Sequence, residues 1–112
     1  MLAIPFNEAS NFKEQLLLDG ELFVLEFTWN ALNEFWVMDV YTREENPILL
    51  GIKIVPNYPL LSAYSMPERP KGEIICQNVV SDTGEIARFD IGQKFELLYY
   101  SENEIETLAL GV

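Results

Sequence analysis

Short runs of alternating apolar and polar residues dominate the chain, and a period of two predicts β-strands with one face turned to a core. Residues 12–18 (FKEQLLL) end at Asp19-Gly20, and residues 21–29 (ELFVLEFTW) follow at once. Asp-Gly between two such runs predicts a type I′ hairpin, because both central residues of that turn need positive φ. In the second run Phe23, Leu25, Phe27 and Trp29 share one face, while Leu22, Val24, Glu26 and Thr28 share the other. A third strand is expected over 34–41, with Trp36, Met38 and Val40 set against Phe35, Val37 and Asp39. A fourth, over 48–55, would put Ile48, Leu50, Ile52 and Ile54 on one face. Gly51 and Lys53 would lie on the other, the glycine marking a bulge or a close backbone approach. Further strands are expected over 73–80 and 93–100, and residues 86–91 read as a short strand or an irregular approach.

Between residues 56 and 70 the rhythm breaks. Pro56, Pro59, Pro67 and Pro70 fall there, and each removes a backbone donor and fixes φ, which excludes a central strand. The segment reads as a long apolar loop with room for one helical turn over 60–65. Roughly six to eight short strands, with turns such as Arg43–Pro47 and Ser81–Glu85 between them, predict an all-β fold. The expected form is a small antiparallel β-barrel or sandwich with a proline-rich loop. One β domain over 1–112 is expected, with an N-terminal arm over 1–11 and a C-terminal arm over 101–112.

Composition narrows the function. The 112 residues carry 18 Asp+Glu against 7 Lys+Arg, a formal net charge of −11, yet 49% are hydrophobic. That hydrophobicity excludes intrinsic disorder. The charge argues against direct nucleic-acid binding, because phosphates are repelled. With no histidine, the commonest general base and metal ligand is missing. A lone Cys76 allows neither an internal disulfide nor a zinc cluster. No run approaches the ~20 apolar residues of a membrane span, and the N-terminus has no basic flank of the kind a signal peptide carries. Synthesis in a reducing cytoplasm, with residence there at least at first, no membrane association and no cofactor are therefore expected.

Candidate chemistry is thin. Glu26 and Asp39 fall on adjacent expected strands and could act as an acid–base pair, but with so many carboxylates a wet sheet face explains them better. Asp82, Gly84 and Glu85 read as a turn, since the regular oxygen ligands of a calcium loop are missing. Cys76 has no histidine to activate it and reads as a packed residue. Trp29 and Trp36 read as a cross-strand pair that fixes a hairpin; a carbohydrate platform would need one of them exposed. The chain is not read as an enzyme. Adhesion is the better signal. Tyr58, Leu60, Leu61, Tyr64 and Met66 in the proline-bounded loop either cap the core or form an anchor cluster for a partner. Both termini are more apolar than free tails usually are: Leu2, Ile4 and Phe6 at one end, Ile105, Leu108 and Leu110 at the other. Either terminus could add a strand to a neighbour's sheet edge.

The order of landmarks from Ile4-Pro5 to Tyr100 is itself informative. Thr28-Trp29-Asn30 precedes Phe35-Trp36-Val37-Met38-Asp39-Val40-Tyr41. Gly51-Ile52-Lys53-Ile54-Val55-Pro56 and Pro59-Leu60-Leu61 follow, then Phe89-Asp90-Ile91-Gly92 and Phe95-Glu96-Leu97-Leu98-Tyr99-Tyr100. This order resembles the phage baseplate plug family of contractile-tailed cyanophages, although the turn from Ser81 to Glu85 is more compact than the Gly/Asp-rich one the family often carries. The resemblance implies a structural virion component without active-site residues. Its implied partners are baseplate hub, spike, tail-tube or wedge proteins and copies of itself around the tail axis. Charge and size alone would also suit a small acidic inhibitor or DNA mimic, and the tryptophans a carbohydrate-binding β-sandwich module.

Overall fold

A computed structural model describes residues 1–79 and 84–110, excluding the side chains of 108–110. Ser81, Asp82 and Thr83 of the expected turn lie outside the described residues. Among the described residues, seven strands and one helix follow in order: β1 (Leu2–Ala3), β2 (Asn11–Leu18), β3 (Glu21–Asn30), β4 (Phe35–Thr42), β5 (Pro47–Lys53), β6 (Glu73–Asn78), β7 (Phe95–Tyr100) and α1 (Glu102–Leu110). They build a four-stranded sheet in the order β2-β3-β4-β5 and a three-stranded sheet in the order β1-β7-β6, both antiparallel. The sheets do not close into a barrel, so the fold is the sandwich-like of the two all-β expectations.

The β2–β3 hairpin turns where Asp-Gly requires it: Asp19 has φ 52° and Gly20 φ 79°, and Leu18 pairs with Glu21. Phe23, Leu25 and Phe27 of β3 and Trp36, Met38 and Val40 of β4 face inward. They meet Ile74 and Cys76 of β6 and Phe95, Leu97 and Tyr99 of β7 in one core cluster. At one end Phe6 packs edge-on against Phe12, Phe27 and Trp36, with ring centroids 5.0, 5.0 and 4.8 Å away. Trp29 and Trp36 are direct cross-strand partners, 5.5 Å apart.

β5 departs from the expected phase. Leu49 is 3% exposed and Leu50 60%, so Leu50 does not share the face of Ile52 and Ile54, which are both buried. Met38 pairs with Ile52 but Val40 with Leu49, so β5 carries one extra residue between these pairs, and a second shift follows where Tyr41 pairs with Pro47. The bulge is seated at Gly51, whose φ is 76°, and an inserted residue flips the alternation on one side of it.

Both termini are engaged within the chain's own fold. β1 pairs with β7 of its own chain, Leu2 opposite Tyr99, and the Ile4 amide donates to the Leu97 carbonyl at 2.8 Å. The C-terminal arm is helical. Ser101 and Glu104 form a capping box: the Ser101 hydroxyl accepts the Glu104 amide at 3.1 Å, and the Glu104 carboxylate accepts the Ser101 amide at 2.9 Å. This reciprocal pair satisfies amide donors that a helix start otherwise leaves unpaired. The N-terminal amine also pairs with Glu104.

The proline-rich loop shields the outer edge of β6. Pro56 bridges Cys76 in parallel, the Asn57 amide donates to the Cys76 carbonyl at 2.8 Å, and the Leu60 amide donates to the Ile74 carbonyl at 2.9 Å. Prolines suit such a position, because an edge needs few donors and gains protection from further pairing.

Candidate interaction surface

Alternation along β6 decides what its outer face offers. Ile74 and Cys76 are fully buried on the inner side, which leaves Glu73, Ile75 and Gln77 on the other. Tyr100 of β7 stands opposite Glu73 in the register, and its hydroxyl donates to the Gln77 side chain at 2.7 Å. The edge-covering loop adds Asn57 and Pro59, and α1 adds Ile105. Together these residues line an open, mainly apolar groove of about 620 Å³. Each wall is fixed locally. Asn57, at φ 57°, is hydrogen-bonded side chain to side chain with Asn78. The helix is held by its capping box and by the Asp19 carboxylate, which accepts the Glu102 amide at 3.1 Å.

Glu73 is buried, 8% exposed. Its Oε1 accepts the Leu61 amide at 2.5 Å and the Ile74 amide at 3.0 Å. The same residue thus ties the proline loop to β6 and lines the groove.

The anchors expected from sequence separate into distinct groups. Leu60 and Leu61 are 4% and 0% exposed, so they are core residues of this fold rather than exposed anchors. Ile4 is likewise buried, and Phe6 and Tyr64 pack half-buried against the core. Tyr58, 53% exposed, and Met66, 36% exposed, remain at the surface. Ile105 lines the groove beside Pro59, which brings the loop and the C-terminal arm together at one surface. Leu108 and Leu110 have side chains outside the described residues.

Sequence reasoning missed Phe89, which is 60% exposed at the opening of a tight turn. The Asp90 carboxylate accepts the Ala87 amide at 2.8 Å, the Asp90 carbonyl accepts the Phe95 amide at 3.1 Å, and Gly92 has φ 95°. The Arg88 guanidinium lies 4.5 Å from the Phe89 ring and 5.2 Å from Trp36, and it donates to the Glu8 carbonyl at 2.8 Å. An aromatic directly before Asp-x-Gly was the available signal.

The residues weighed for catalysis are engaged in structure. Glu26 pairs with Asp39 in the register. Its carboxylate accepts from Asn11 at 2.9 Å and from the Tyr41 hydroxyl at 3.1 Å. Asp39 accepts the Gly51 amide at 2.6 Å. Cys76 is wholly buried, and burial pushes its thiol up to about 12, far from the thiolate a nucleophile needs. Trp36 is 1% exposed and donates its indole N–H to the Arg88 carbonyl at 3.2 Å, so it offers no sugar platform.

Comparison with known proteins bears on the whole arrangement. Residues 1–102 match the family model described as Cyanophage baseplate Pam3 plug gp18. No curated protein matches the chain.

Proposed function

The chain belongs to the cyanophage baseplate plug family, and from that membership we propose that it is a plug at the tip of a contractile phage tail. In this reading it packs against hub, spike, tail-tube or wedge proteins, with several copies set around the tail axis. It is synthesised in the host cytoplasm and resides in the virion baseplate. The observation that carries the reading is the family match over 1–102. Two physical features support it. The carboxylates that could have formed an acid–base pair are hydrogen-bonded within the sheet. A net charge of −11 keeps the surface from adhering to phosphate in a structure through which DNA passes.

The groove over β6 and β7, together with exposed Tyr58, is the surface proposed to face the neighbours, through apolar contacts around a few large side chains. A density map of the tail tip that accommodates every other component and leaves no volume for this fold would overturn the placement. Replacing Ile105 and Tyr58 with Asp should exclude the chain from assembled baseplates while its thermal unfolding stays close to that of the parent. Undiminished incorporation would reject this surface.

A further inference from the structure

Glu73 is a nearly buried carboxylate whose hydrogen bonds account for one oxygen only. Oε1 takes both amide bonds. Oε2 accepts no hydrogen bond and joins no ion pair among the described residues. Nor is that oxygen sealed inside the protein; since Glu73 lines the groove, the groove is where its charge is presented. That leaves a charged acceptor with unused capacity, which a cationic donor from another protein would satisfy. The surroundings bias the site the same way. Glu73 is the one charged side chain among the residues lining the groove, and the chain as a whole carries −11.

We propose that the groove receives a lysine or arginine side chain of a neighbouring protein, flanked by an apolar residue. The cation pairs with Glu73 Oε2, and the apolar flank lies on Ile75, Tyr100 and Ile105. Charge complementarity selects this occupant over an acidic or purely apolar segment, because like charge at the interface is penalised. The inference rests on the plug reading for its biological partner, but its chemistry is tested on the isolated chain, so its failure leaves the tail-tip placement standing.

The probes are three capped tripeptides, acetyl-Leu-Lys-Leu-amide and its analogues with norleucine or Glu at the centre, titrated into the full chain at low salt. The methyl signals of Ile75 and Ile105 are followed by NMR. The lysine peptide should perturb both methyls and bind at least about tenfold tighter than either analogue. Raising the salt should erase that preference. Glu73→Gln keeps an amide oxygen for the Leu61 and Ile74 amides and should lose the lysine preference. The salt dependence of the parent chain supplies the same information if that variant does not fold. Equal binding of the lysine and norleucine peptides, or no shift of the Ile75 and Ile105 methyls at millimolar peptide, would overturn the proposal.

Discussion

The Asp39 carboxylate accepts a hydrogen bond from the Gly51 amide at 2.6 Å, across the point where β4 and β5 slip register. The bond caps the bulge and explains why an acidic residue stands mid-strand. Gly51 has open space where a Cβ would go, so the cost of Gly51→Ala is conformational: φ 76° is strained for an L-residue by about 1–2 kcal/mol. Asp39→Ala should cost a similar amount, about 1–2 kcal/mol, through the lost charge-assisted bond. Urea unfolding of the two variants and their double mutant checks this. Strict additivity would mean that the carboxylate and the bulge are independent.

Glu14 predicts an unusual pH response. It sits opposite Leu25 on β2, an edge strand of the larger sheet, and its Oε2 is buried without a hydrogen-bond partner. Burial pushes its carboxyl from 4.5 up to about 7. The folded chain therefore holds this proton more tightly than the unfolded one. The contribution is complete below pH 4.5 and is lost as pH rises through about 7. Glu14→Gln should remove that decline and gain about 1 kcal/mol above pH 7, a figure reduced for partial exposure. Denaturation midpoints between pH 4.5 and 8 decide it, and parallel curves for parent and variant would contradict it. An inward carboxylate on an edge also discourages pairing with another chain, so Glu14→Leu should promote self-association, read by light scattering.

Gly72 leaves no room for a side chain. A Cβ there would collide with the Tyr100 carbonyl and stand 2.6 Å from the Tyr99 hydroxyl. That hydroxyl accepts the Gly72 amide at 2.8 Å and donates to Asp19 at 2.6 Å. Burial first, and then the Asp19 bond, raise the Tyr99 phenol above its ordinary range, so it remains a donor. Gly72→Ala should cost about 2–3 kcal/mol and lower the melting temperature by several degrees or more.

The capping box makes a smaller prediction. Ser101→Ala removes the hydroxyl that accepts the Glu104 amide and should cost about 1 kcal/mol of local stability. Faster hydrogen exchange at the Glu104 amide, with β2–β5 unchanged, is the expected signature.

Leu60 and Tyr58 test the division between core and surface in the loop. Leu60→Ser should destabilise by about 2–4 kcal/mol, since it removes buried apolar volume and leaves a hydroxyl inside. Tyr58→Ser, at a half-exposed site, should fall within about 0.5 kcal/mol of the parent. Equal losses would mean that the loop packs differently.

The strands of the large sheet were legible because Asp19-Gly20 sets one turn and the apolar alternation of β3 and β4 sets the buried face. Trp29 against Trp36 was legible for the same reason, since both lie beside a short connection. The phase of Leu49 and Leu50 was not, because a glycine announces a bulge without saying on which side the alternation breaks. Leu60 and Leu61 looked like anchors because a proline-rich loop is ordinarily at the surface; that this one runs along β6 depends on pairing between distant segments. α1 was hidden by Glu102, Glu104 and Glu106 alternating with Ile105, although Ser101 and Glu104 stand at capping-box spacing. The groove could not be read at all, since Pro59, Ile75 and Ile105 meet only through the tertiary fold.

The middle strand of the smaller sheet, β7, is the last of the seven in chain order. On a translating ribosome β2 to β5 can zip together as they emerge, while β1 and β6 wait for residues 95–100. Until those arrive, the greasy underside of the finished meander has no lid, and the newborn polypeptide is at its most vulnerable to aggregation or to capture by chaperones.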